Sequence, residues 1–499
     1  MTPYRRKARL DADRFDNVRV RERFLYEPQD EWDEYDDYRA RSLTQYVVIG
    51  VCALLLTGSI LFGARYLAAY PPQSHYADNS IEPSMSAAMP PPSDVANENN
   101  CGTGSHCASD RDIAKIAWRY FENNHQPATG LVNAVDGVET TTLWDTGSSL
   151  AAFIAAHDFG FVSQHKFDHS VMAVLQTLAR IDLVDGIAPN ILYDTRTAEM
   201  VDYSNEPSEN GIGVSAIDLA RTSFWLHTLQ CMHPKYYNPV KRVLARWDYT
   251  SLIRDGQLYG LASEQRDQNR QVPIQQGRFG FEQYAGKIFR ALGHEAEVSS
   301  DYQNRYRANT EILGVTIAHD SRDPRNTGVN NFIVTDSFVL DAMESGINVD
   351  NRELLTNIYL VQKQRWRETG IATALTDGHI NQAPHYLYNT IFDAGLSFTT
   401  TTDTGVRHKD LRTVSTRAAF ALAVLFPDDQ YSDVLMSTIE SAYDPQAGWF
   451  SGVYENGGFN DITTANTNGI ILETLLYKKY GALGAQCRSH RSLPSVAAR

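Results

Sequence analysis

Trp144-Asp-Thr-Gly-Ser-Ser149, Ala155-Ala-His-Asp-Phe-Gly-Phe-Val162, Pro189-Asn-Ile-Leu-Tyr-Asp-Thr195 and Ser215-Ala-Ile-Asp-Leu219 follow one another along the chain. Each sets a polar or acidic cluster at the edge of an apolar helical pattern. A helix that serves only a core has no use for such clusters at equivalent places. They therefore predict a helical protein whose helices open onto a shared polar site.

Working outward, helical periodicity predicts Asp112–Glu122, then Leu143–Asp158 paired with Lys166–Ile181 across Gly160-Phe-Val-Ser163. Val214–Cys231 and Tyr237–Trp247 form a second pair broken by His233-Pro234. Further helices are expected at Phe281–Leu292, Thr335–Ser345, Asn351–Trp366, Tyr386–Phe398, Val414–Leu425, Tyr431–Ala442 and Thr464–Tyr480. Paired helices with long, variable returns at 182–213, 249–280 and 366–385 predict an all-α fold, an (α/α)6 toroid of six inner helices around a funnel. A helical solenoid is disfavoured because no fixed repeat period emerges.

The rest of the chain predicts appendages to this domain, taken as 108–484. Residues 47–64 carry no charge, and with Tyr46 and Tyr66 at the flanks 46–68 reads as a transmembrane signal anchor. About 45 residues precede it, too many for a cleaved signal peptide. Residues 1–45 are charged, read as a disordered tail, and hold ten Lys/Arg, among them Arg5, Arg6, Lys7, Arg39 and Arg41. The positive-inside rule then puts the N-terminus in the cytoplasm and the large domain outside it, in the periplasm of a single-pass inner-membrane protein. Residues 69–107, with Pro90-Pro91-Pro92, read as a spacer, and 485–499 as a polar tail.

Composition narrows the chemistry. The 499 residues carry a net charge of −15, which argues against a nucleic-acid partner. No Walker loop, no Gly-x-Ser-x-Gly elbow and no His-Glu-x-x-His zinc motif occurs, so neither cofactor nor metal is expected. Cys101 and Cys107 flank a short Gly-Thr-Gly-Ser-His loop and are expected to form a disulfide. Cys231 is expected to pack in its apolar helix, with Cys487 free or paired.

Carboxyl groups near helix starts are the candidates for chemistry, because glycoside cleavage needs one protonated and one ionised acid. Glu282, in Gly280-Phe-Glu-Gln-Tyr284, is the expected proton donor, since neighbouring aromatics would desolvate it. Asp218 or Asp336 would act as base, with a helix-face pair between Asp218 and Arg221 as the structural alternative. Trp144, Asp145, Tyr284, Trp449, Tyr454, Glu455 and Asn466 are the expected sugar-binding residues, through aromatic stacking and hydrogen bonds to hydroxyls. Asp, Ser and Thr at these places are also favoured helix N-caps.

Trp144–Ser149 together with Thr464-Ala-Asn-Thr-Asn-Gly-Ile-Ile-Leu-Glu473 resembles the bacterial domain of unknown function 3131, over roughly 110–482. Ala155–Ser163, Asn190–Thr195 and Phe281–Gly293 resemble, more distantly, glycoamylase-like and endo-β-1,2-glucanase domains and the cyclisation domain of cyclic β-1,2-glucan synthases. Both resemblances imply an (α/α)6 toroid. The second implies β-1,2-glucan cleavage, with Glu282 matching a Glu at a helix start, although Phe281 and Ala216-Ile217 depart from the usual polar neighbours. The resulting expectation is a membrane-anchored glycoside hydrolase acting on a cell-envelope β-glucan. The alternatives are a non-catalytic glycan-binding component working with polysaccharide-assembly proteins, and a polysaccharide lyase using His385 or Tyr386.

Overall fold

The computed structural model describes residues 109–264, 270–276, 278–323 and 330–489. In chain order the helices are α1 (Asp110–Asn124), α2 (Leu143–Asp158), α3 (Gln164–Leu178), α4 (Ala216–Met232), α5 (Tyr237–Leu244) and α6 (Phe281–Ala291). They continue as α7 (Glu297–Ser300), α8 (Asp336–Ser345), α9 (Arg352–Thr369), α10 (Thr416–Leu425), α11 (Gln430–Ile439) and α12 (Ala465–Tyr480). Even-numbered helices form the inner wall. Each packs on the next, α2 on α4, α4 on α6, then α8, α10 and α12, and α12 packs back on α2. Odd-numbered helices cover this ring from outside, with α1 lying over α12 and α2.

Side-chain chemistry explains which helices go inside. From Leu143 to Ala156 every residue of α2 except Trp144 is buried, as expected of a helix with neighbours on all sides. In α3 burial is confined to Phe167, Val171, Val174, Leu175, Thr177 and Leu178, one face only. Small residues let the inner wall close. A Cβ on Gly469 of α12 would stand 2.7 Å from Ser148 Cβ of α2.

The fold is not all-α. Three four-stranded antiparallel sheets sit among the helix connections. Strands 213–214, 253–254, 257–263 and 271–275 form the first. Strands 332–333, 377–379, 386–393 and 396–401 form the second, and 413–415, 443–444, 448–454 and 459–463 the third. The helix expected at Tyr386–Phe398 is therefore a hairpin. Aromatic and β-branched side chains alternate there, and Ala394 (φ 44°) and Gly395 (φ 96°) supply the two positive φ values of a tight hairpin turn. Every inner helix follows a strand, so all six N-termini emerge from the sheet-bearing connections.

Cys231, expected only to pack, is bonded to Cys487, 256 residues away in sequence. The bond ties the segment after α12 to α4. Cross-linking so long a loop restricts the unfolded chain, a gain of about 3–5 kcal/mol in the chain-entropy picture. Reduction, or Cys231→Ser, is expected to lower the thermal midpoint by several degrees in calorimetry; an unchanged midpoint would show that the bond adds no stability. The expected Cys101–Cys107 bond and the 46–68 segment lie outside the described residues. Among the described residues no helix is long and apolar enough to cross a membrane.

Candidate active site

Hydroxyl caps fix the starts of the inner helices. Thr142, Ser215, Ser415 and Thr464 each accept a hydrogen bond from a first-turn backbone N–H of α2, α4, α10 and α12. In α2 and α4 the cap is reciprocal. Thr142 Oγ1 donates to Asp145 Oδ2 at 2.6 Å, and Ser215 Oγ donates to Asp218 Oδ1 at 2.9 Å. Asp145 and Asp218 are thus tied to their own helix caps, which explains their conformation without a sugar. Asp218 does not pair with Arg221 through a salt bridge. Arg221 instead donates to Glu344 Oε1 at 2.9 Å and to Glu473 Oε2 at 2.8 Å, all three side chains being inaccessible.

Above this buried ion cluster lies Trp144, half-buried. Its Nε1 donates to Asn466 Oδ1 at 2.8 Å, its ring meets Phe281 edge-on at 5.6 Å, and the Arg221 guanidinium lies 4.8 Å from the ring centre. Tyr284, fully buried, donates its hydroxyl to Glu344 Oε2 at 2.7 Å. Trp144 therefore touches both Asn466 and Tyr284, and Tyr284, expected as a sugar ligand, is closed to solvent.

Asp336, the first residue of α8, is 1% exposed. Its Oδ2 accepts from Arg417 Nε of α10 at 2.7 Å, and the Thr376 hydroxyl also acts on the carboxyl, whose Oδ1 is closed to solvent. Burial drives the Asp336 carboxyl above the ordinary aspartate value, against the pull of Arg417 and with help from Asp377. Arg417 also donates to the Asp377 carbonyl at 2.5 Å, and Tyr386 donates its hydroxyl to Asp377 Oδ2 at 2.7 Å. Asp377, Tyr386 and His379 are half-buried, and His379 meets the Tyr386 ring edge-on at 5.0 Å. Acids and guanidiniums from α8, α10, α12 and α4 are electrostatically linked, Asp336 reaching both Asp377 and Glu473.

Glu282 stands elsewhere. It lies in the first turn of α6, yet its carboxylate is sealed. Oε1 accepts from Leu258 N at 3.3 Å and Gln275 Nε2 at 3.1 Å, and Oε2 is paired with Arg322. Arg322 also holds Asp320 at 2.5 Å. Burial, with Asp320, raises the Glu282 pKa although Arg322 opposes it. Both Glu282 oxygens are thus engaged within a buried ion cluster, and its raised pKa comes from burial as the sequence suggested.

Three expected sugar ligands are structural as well. Trp449 is buried against α1, its Nε1 donating to the Ile113 carbonyl at 3.1 Å. Glu455 takes a bidentate grip from Arg365 of α9, at 2.6 and 2.9 Å, with Arg412 at 3.6 Å. Tyr454, 7% exposed, donates to Asn381 Oδ1 at 2.6 Å. Sequence reasoning missed Arg417, Asp377, Arg322, Glu344 and Glu473. The signal for Glu344 and Glu473 was present, a charge inside the apolar runs Ala342-Met-Glu344 and Ile470-Ile-Leu-Glu473, where only a paired group is tolerated.

With six inner helix starts and this carboxyl–guanidinium centre in place, comparison with known proteins adds the family. The profile described as a protein of unknown function (DUF3131) matches residues 112–481. The chain belongs to that family. No curated protein sequence matches this DUF3131 member significantly. Its fold is similar to that of a glucoamylase-like protein of Bacteroides fragilis (TM-score 0.56, 14% identity, 78% of this chain and 96% of that one). It is also similar to an endo-β-1,2-glucanase of Chitinophaga pinensis solved with sophorotriose and glucose (TM-score 0.54, 13% identity, 76% and 94% covered). An endo-β-1,2-glucanase of Talaromyces funiculosus in complex with sophorose gives 0.52 at 12% identity, covering 76% and 85%. At these identities the likeness concerns the helical-barrel fold.

Proposed function

We propose that this DUF3131 protein is a glycoside hydrolase cleaving a bacterial β-glucan, β-1,2-linked, at the starts of its inner helices. The observation that carries the reading is the Asp336 carboxyl. It is buried, its pKa is raised, Arg417 steers one oxygen, and the Thr376 hydroxyl stands beside the carboxyl. Such a carboxyl is suited to hold a proton and deliver it to a glycosidic oxygen. Asp377, oriented by Tyr386, takes the role of base, and Trp144 with Asn466 provides the stacking surface. The assignment exchanges the roles read from sequence, with Asp336 as donor and Glu282 as part of the supporting structure. Two solved proteins of similar fold are β-1,2-glucanases, which supports the linkage.

We further propose that segment 46–68 anchors the chain in the inner membrane with this domain in the periplasm, supported by the Lys/Arg bias of residues 1–45. Protease added to spheroplasts is expected to degrade the domain and leave a fragment containing residues 1–65; full protection would reverse the orientation.

Incubating the purified full-length protein with a panel of β-glucans tests the enzymatic reading. Shortened oligosaccharides from β-1,2-glucan are the expected result. Binding without products would make the protein a glycan-binding module, and unsaturated ends would make it a lyase.

A further inference from the structure

We infer that Arg221, clamped by Glu344 and Glu473, is the positioning residue that sets the Trp144 ring. As a sugar platform, Trp144 belongs to the function proposed above; its fixation by Arg221 is independent of that reading.

The arrangement draws on five inner helices. Arg221 of α4 donates from Nη1 to Glu344 of α8 and from Nη2 to Glu473 of α12, and Nη2 also reaches Ser148 Oγ of α2 at 3.2 Å. Tyr284 of α6 holds the second oxygen of Glu344. A guanidinium held through both terminal nitrogens in this way is restrained, and its carbon lies over the Trp144 ring, 4.8 Å from the ring centre. The space around Arg221 is tight as well, since a Cβ on Gly147 would lie 3.0 Å from its Cγ.

A simpler design would bury one carboxylate against one guanidinium. Here two carboxyls converge on one guanidinium, and burial pushes both above the ordinary glutamate value. A platform held before the sugar arrives loses less freedom on binding, and the benefit should appear in affinity.

The test uses the full-length protein, the variants Glu473→Gln, Glu344→Gln and Arg221→Lys, and Trp144→Phe made in each of these four backgrounds. The Trp144 contribution to emission is the difference between each protein and its Trp144→Phe partner, measured without sugar. Glu473→Gln and Arg221→Lys are expected to shift that contribution. On β-1,2-glucan they are expected to raise KM about tenfold with kcat changed less than about threefold. Glu344→Gln, which loosens the other end of the clamp, is expected to act in the same direction, and circular dichroism of each variant checks that the fold is kept. An identical Trp144 contribution in wild type, Glu473→Gln and folded Arg221→Lys would overturn the inference. Absence of any glucan binding by the wild type would overturn the proposed function instead, and the sugar-free emission would still decide the positioning role.

Discussion

Asp336→Asn is expected to lower turnover on the natural glucan by about 10²–10⁴-fold, the range over which general acid catalysis contributes. The amide preserves shape and an acceptor for Arg417 Nε, so folding and glycan binding should persist. The deficit should shrink with an aryl or fluoride glycoside, whose leaving group departs without a proton. The acid must be protonated to act, so kcat/KM falls as pH rises through its pKa. With that pKa raised by burial, the fall lies at higher pH than an ordinary aspartate would give, and Asp336→Asn should remove it. Glu282→Gln is the decisive companion. If Glu282→Gln shows the large loss with rescue by activated substrates, while Asp336→Asn turns over normally, the donor is Glu282.

Arg322→Met carries the largest expected effect on stability. Arg322 is the shared cation of Glu282 and Asp320, all three buried, and its removal leaves two carboxyls facing each other without compensation. Breaking a buried pair from one side costs about 3–5 kcal/mol. Denaturant titration should show that loss at neutral pH. It should be smaller in acid, where the Glu282 carboxyl, its pKa raised by burial, is protonated. A raised native pKa at Glu282 places stability at low pH and withdraws it as pH rises, the opposite of an ordinary salt-bridged carboxylate. A loss independent of pH would show that packing, not charge, is what Arg322 supplies.

Helix positions were legible because inner and outer helices bury apolar residues with a helical period. Leu143–Asp158 was read to the residue, and other ends moved by a few positions. The sheets were less legible. Strands such as 213–214 and 332–333 are two residues long and exist through their partners, leaving no local period. The 386–401 hairpin could have been recognised from Asp393-Ala-Gly-Leu396 between alternating residues. In the site, Trp144 and Asn466 stood out because polar or aromatic groups at apolar helix starts are conspicuous. Whether an acid points to a cap, an arginine or open space is set by residues far away in sequence. That is why Asp145, Asp218, Glu282 and Glu455 looked alike as letters and differ in three dimensions.

The hydrogen bond between Trp144 and Asn466 spans 322 residues, and the inner wall is closed only by α12 meeting α2. Ring closure of this kind has a consequence for biosynthesis. A nascent chain that has made its first ten helices owns neither a complete wall nor a seated tryptophan, however long the ribosome pauses. Folding is correspondingly non-local, dominated by late contacts, and slow compared with a bundle of neighbouring helices. Any chain ending before Thr464 would expose the apolar flanks of α2 and α10 and be a substrate for quality control rather than a weaker enzyme. The last helix thus acts as the molecule's certificate of completion.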